Sequence, residues 1–118
     1  MPTSDPRKRL CDIRDNADRI AEHVSGLDRQ AFLSDKKTID AVQHCLLRIS
    51  EAARRVGDRF DARYPDLELP SLRRFGSVLP HDYDIIFPES LWLYIESDVP
   101  AIRQMAEVEI ARINAGGD

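Results

Sequence analysis

No stretch of the sequence approaches the ~20 consecutive apolar residues that a membrane-spanning helix needs. The N-terminus is charged and lacks the apolar run of a secretory signal. Neither a membrane span nor secretion is expected, and the cytoplasm is the expected location. Cysteine is scarce. Cys11 and Cys45 form no CxxC pair, and with His23, His44 and His81 they match no zinc spacing. The expectation is two buried, reduced thiols and no metal. With 5 glycines and 7 prolines in 118 residues, little in the composition interrupts long helices. A strong positive balance is also missing: the formal net charge is -4, unlike that of a dedicated duplex-DNA binder.

What is present suits one globular domain over residues 1–118. That length buries enough surface to fold without disulfides or metals. A hydrophobic share of 42% against 32% charged is too apolar for a disordered chain. The charge is unevenly spread. Residues 1–81 carry 15 Lys and Arg against 13 Asp and Glu, a net of +2, whereas residues 82–118 carry 2 against 8, a net of -6. A locally basic surface for RNA and an acidic last helix can coexist in such a chain.

Periodicity predicts the fold. Leu10, Ile13, Ala17, Ile20, Val24 and Leu27 alternate steps of three and four, one face of an amphipathic helix. Ser4 or Asp5 can cap it, Pro6 suits its first turn and Gly26 can stop it. A second stripe runs Ile39, Val42, Leu46, Ile49, Ala53, Val56, Phe60, with Ser34 or Asp35 as cap. This helix is expected to reach nearly to Tyr64, about 28 residues, with Gly57 inside it at a cost of about 1 kcal/mol. Residues 65–71 read as a turn-rich connection, followed by a short helix over 71–79. The last stripe is Leu91, Ile95, Val99, Ile102, Ala106, Ile110, Ile113, from a start near Pro88 or Glu89. Pro100 is expected to kink or restart it, with Asp98 as a possible new cap. No alternating strand pattern competes. The expected architecture is all-α, a bundle of three long amphipathic helices plus one or two short ones, which a second copy could complete as a homodimer.

One segment does not read as packing. Residues 73–84 run Arg-Arg-Phe-Gly-Ser-Val-Leu-Pro-His-Asp-Tyr-Asp. His81 titrates near neutrality and can act as general base or acid. The planar guanidinium groups of Arg73 and Arg74 suit phosphate. Tyr83 can donate a hydrogen bond or be modified at its hydroxyl. On composition alone the segment reads equally well as a surface turn. Arg54, Arg55, Arg59 and Arg63 form a basic stretch that suits RNA backbone or a solvated face paired with Glu51 and Asp58. Glu51 is a candidate partner for an arginine of the motif. His23, His44 and Trp92 read as surface or packing residues.

Taken together, these segments resemble a known group. LSDKKTIDAVQHCLLRISEAARRV (33–56), LPSLRRFGSVLPHDYDII (69–86) and LWLYIESDVPAIRQM (91–105) are similar to the second helix, the Arg…His-x-Tyr motif and the closing helix of the HepT-like group of HEPN helical ribonucleases. The resemblance covers nearly the whole chain. It implies a ribonuclease toxin that needs neither metal nor cofactor, with His81 and Arg74 acting on RNA and the ribose 2′-hydroxyl as nucleophile. It implies a composite site made by two protomers. It also implies a minimal nucleotidyltransferase antitoxin that silences the toxin by adenylation of Tyr83. Arg73, Arg54 and Arg55 are the further candidate RNA contacts. A helix starting near Pro80 would aim backbone amides at a phosphate. The positions that the commoner form of the motif fills with Arg and Asn hold Gly76 and Ser77, and Arg74 stands six residues further from the histidine than an immediate neighbour would. The alternative reading is therefore a catalytically degenerate binding module that still pairs with a nucleotidyltransferase.

Overall fold

The computed structural model describes residues 5–82 and 87–117, with the backbone alone for 76–82. Its elements are α1 (Pro6–His23), α2 (Arg29–Leu33), α3 (Lys36–Val56), a 3-10 turn (Pro65–Leu67), α4 (Leu69–Asp82) and α5 (Pro88–Asn114). Among the described residues there is no strand, and the all-α expectation holds.

The three apolar stripes form a common core. Leu10, Ile13, Ile20, Leu46, Ile49 and Ile102 are essentially inaccessible to solvent. Helix α1 packs on both α3 and α5, and α4 packs on α3. Side-chain contacts run in opposite order along α1 and α5, so those helices are antiparallel: Arg7 to Asn114, Arg14 to Glu107, and Arg103 to Asp18 at 2.6 Å. Cys45 is buried and Cys11 only partly so.

Four local expectations change. First, α1 ends at His23, and Gly26 takes a left-handed φ of 79° in the turn beyond it. Second, residues 29–33 form a helix that the periodicity does not reveal. Five residues are too short to display a stripe, yet Asp28 caps it through Ala31 N at 2.8 Å, and Phe32 is fully buried against Trp92 with ring centroids 5.2 Å apart.

Third, α3 stops at Val56 rather than near Tyr64. Gly57 is its C-cap, with φ 80° and ψ -152°, a backbone that L side chains rarely adopt. Its start is as expected, with Asp35 accepting from Thr38 N at 3.1 Å and from Thr38 Oγ1 at 2.8 Å. Fourth, α5 is continuous through Pro100 and, at 27 residues, is the longest helix described. The carbonyl that Pro100 leaves without an amide belongs to Glu96. Both residues are exposed, so water can satisfy it and no restart at Asp98 is needed.

Candidate active site

The end of α3 at Gly57 decides how the motif helix sits. Residues 57–63 fold into turns instead of extending α3, and this brings Asp61 beside α4. Arg73 donates from both terminal nitrogens to Asp61, at 2.8 and 2.7 Å, and also to the Gly57 carbonyl at 3.0 Å. The Arg73 hydrogen bonds outweigh partial burial and hold the Asp61 carboxyl below its ordinary pKa. Ser50, fully buried on α3, donates to the Arg73 carbonyl at 3.3 Å. Arg73 is thus a fastener between α3, the turn and α4.

Arg74 is one residue further on and turned about 100° around the helix axis. It is exposed, with Nη2 3.2 Å from Ser71 Oγ. Position 81 follows seven residues later on the same helix, so 74 and 81 share one helical face, two turns and about 10 Å apart. Pro80 lies within α4, which begins at Leu69. The expected helix start near Pro80 is therefore absent, and position 81 belongs to the last turn. Tyr83 lies outside the described residues.

The other candidate arginines separate. Arg54 is exposed and pairs with Glu51 at 3.6 Å. Arg55 lines a cleft of about 420 Å³ between α1 and α3, together with Glu51, Arg48 and Arg9. Arg59 donates to the Val56 carbonyl at 3.2 Å. Arg63 turns inward to Glu109. His23 and His44 are exposed, and His44 Nε2 accepts from Arg48 at 3.1 Å. Trp92 is in the core. Among the described residues no group of three or more His, Cys, Asp or Glu is placed to hold a metal ion.

The sequence reading missed Glu109. Its side chain is inaccessible to solvent and receives Arg63 at 2.6 Å, Arg112 at 3.3 Å and the Tyr64 hydroxyl. Burial pushes its pKa up, but the hydrogen bonds from Tyr64 and Arg63 and the nearby guanidinium charges prevail, leaving it below the ordinary value. A signal existed: Glu109 follows Ile102, Met105 and Ala106 at helical spacing on a buried face. An apolar cavity of about 280 Å³ opens between α4 and α5, lined by Leu72, Phe75, Leu91 and Tyr94. Desolvation there, with a lesser contribution from Asp98, raises the Tyr94 phenol pKa.

A family profile described as "Ribonuclease HepT-like" matches residues 13–109. A Methanocaldococcus jannaschii protein provisionally named an RNase is 32% identical over 109 residues, spanning 92% of this chain and 90% of that one. A second protein of that organism, named in the same way, is 28% identical over 108 residues, covering 92% and 99%. "Probable ribonuclease HepT" of Thermococcus cleftensis is 29% identical over 94 residues, 80% of this chain and 86% of the relative. No solved structure matches.

Proposed function

Since the chain belongs to the ribonuclease HepT-like family, we propose that it is a metal-independent endoribonuclease and the toxin of a toxin–antitoxin pair acting in the cytoplasm. The observation that carries this reading is the division of labour on α4. Arg73 is occupied by Asp61, while Arg74 is exposed on the face that position 81 shares.

The chemistry follows from those two positions. The His81 imidazole takes the proton of a ribose 2′-hydroxyl. The 2′-oxygen attacks the adjacent phosphorus, a P–O2′ bond forms, and the P–O5′ bond breaks. A protonated imidazole gives the departing 5′-oxygen its proton, leaving a 2′,3′-cyclic phosphate. Arg74 stabilises charge on the non-bridging phosphoryl oxygens as the phosphorus becomes five-coordinate. One histidine per chain suffices if two protomers form the site, which makes the homodimer the working unit. Adenylation of Tyr83, two residues beyond His81, by a cognate nucleotidyltransferase would place a negative phosphate where RNA phosphate must sit and so silence the enzyme.

Expression of the wild type and of His81→Ala, with growth and RNA integrity followed in parallel, tests the proposal. Growth arrest and RNA cleavage in EDTA with the wild type only are the expected results. Equal growth and intact RNA for both proteins rule the enzyme out. Gly76 and Ser77, at positions where the commoner motif has Arg and Asn, favour a second reading: a non-cutting module that still pairs with the nucleotidyltransferase. RNA cleavage separates the two, and intact-mass spectrometry after incubation with that partner and ATP tests the substrate role, against which an unmodified Tyr83 would argue.

A further inference from the structure

The cleft between α1 and α3 lies away from the motif helix and has features the ribonuclease chemistry does not use. Arg9, Asp12 and Asn16 line it from α1, and Arg48, Glu51 and Arg55 from α3. Its two carboxylates are already committed, Asp12 to Arg9 at 3.1 Å and Glu51 to Arg54 at 3.6 Å. Arg48 donates to His44 Nε2, which brings no negative charge to offset the guanidinium. Arg55 has no ion-pair partner among the described residues. Positions 48 and 55 are two turns apart on one face of α3, so two unneutralised guanidinium groups stand along the same edge.

The floor is also chemically incomplete. The buried side-chain atoms without a hydrogen-bond partner among the described residues are Arg9 Nε and Asn16 Oδ1, both from residues of this cleft. Asn16 is 7% exposed. Its amide nitrogen donates to the Asp12 carbonyl at 2.9 Å, and because that carbonyl can only accept, Oδ1 is fixed on the other side. The cleft residues therefore present one orphan donor and one orphan acceptor, and a ligand hydroxyl can serve as partner to either. Buried polar groups are rarely left unpaired, since each orphan costs stability. Among the described residues no aromatic ring lines the cleft, so none of them offers a base a stacking surface.

We infer that the α1–α3 cleft binds the sugar–phosphate backbone of RNA, with Arg48 and Arg55 on phosphates and a ribose 2′-hydroxyl donating to Asn16 Oδ1. The choice of RNA rests on the ribonuclease reading; the anion-plus-hydroxyl chemistry does not. Both floor atoms are closed to solvent as the side chains stand, so binding requires the long arginines of the rim to move onto the phosphates.

The test is fluorescence anisotropy with labelled oligouridine and oligodeoxyuridine of equal length, in the His81→Ala background so that no RNA is cut. Arg48→Ala with Arg55→Ala, both exposed positions, should weaken oligouridine binding roughly tenfold or more at moderate salt. The slope of log K against log salt should flatten by about 1.4, which is two phosphate contacts. Asn16→Ala, with its fold checked by circular dichroism, should erase the preference for oligouridine over oligodeoxyuridine. Unchanged affinity and slope in the double variant overturn the site, as does a ribose preference that Asn16→Ala leaves intact. A wild type that cuts RNA while the cleft variants bind normally overturns this inference and leaves the ribonuclease reading standing. Loss of binding with the cleft, in a protein that cuts nothing, supports the site and removes the ribonuclease.

Discussion

Arginine is put to two different uses in this molecule, and the contrast is sharpest between the 57–64 turn and the outer faces of α3 and α4. At the turn, two guanidinium groups end on carboxylates that the fold withdraws wholly or partly from water: Arg63 on Glu109, and Arg73 from α4 on Asp61. On the outer faces, Arg74 and Arg55 are exposed, and Arg48 meets only an imidazole. Charge and residue type are the same in both regions. What differs is whether a distant acid, buried or partly buried, stands opposite, and those acids are 12 and 46 positions away in the chain. Neighbouring arginines can therefore stand in unrelated settings, and one helical residue step of about 100° separates the fastened guanidinium from the exposed one.

The sharpest way to break that contrast is to exchange the two neighbours. Arg74→Ala should lower RNA cleavage at least about 100-fold, roughly 2.7 kcal/mol of transition-state stabilisation. Its unfolding free energy should stay within about 0.5 kcal/mol of wild type. Single-turnover cleavage and urea unfolding on the same preparations measure both, and a large stability loss without a rate loss would reverse the assignment.

Next in size is Glu109→Ala, which leaves Tyr64, Arg63 and Arg112 without their common acceptor. Removing one partner of a fully buried pair costs ~3–5 kcal/mol. Here Arg63 and Arg112 are 43% and 46% exposed and can turn to water, so about 2–3 kcal/mol is expected from urea unfolding. A loss below about 1 kcal/mol would mean that the network does not hold the turn.

Arg73→Ala should cost less, about 1–2 kcal/mol, because the Asp61 pair is partly exposed. Cleavage per folded molecule should stay within a few-fold of wild type. A rate loss matching that of Arg74→Ala would show that both arginines serve the reaction.

The smallest effect expected is in acid. Asp61 and Glu109 both have folded pKa values below their ordinary ones. Their contribution is fully present above the unfolded values, about 4, and is lost as pH falls through the lower folded values. Stability followed by circular dichroism should decline below about pH 4. In Arg73→Ala the Asp61 part of that decline should disappear, giving a shallower acid limb. An unchanged limb would mean that Asp61 gains nothing from Arg73.

Much of the fold was legible because a buried helix must repeat its apolar residues every three to four positions. The stripes of α1, α3 and α5 each supply core residues. The misreadings have particular causes. Residues 29–33 are too few for a period to show. Gly57 was read by its modest propensity cost inside a helix, although its left-handed φ makes it a stop. Pro100 was read as a breaker, but its place on the wet face removes most of the penalty. The site was half legible. The Arg…His-x-Tyr pattern located α4, but the spacing could not say which arginine faces outward, since that depends on Asp61 arriving through the turn after Gly57.

By itself the sequence determined the helical class, the three long stripes, the family resemblance and the place of the Arg…His-x-Tyr pattern, because each is a short-range or patterned property of the chain. Only the tertiary structure decided that Arg73 fastens while Arg74 is exposed beside position 81, that Glu109 is a buried hub, and that Arg9, Asn16, Arg48 and Arg55 share one cleft. Those are facts about which groups meet across helices, and burial with partner choice is settled by packing between distant segments, which no local pattern encodes.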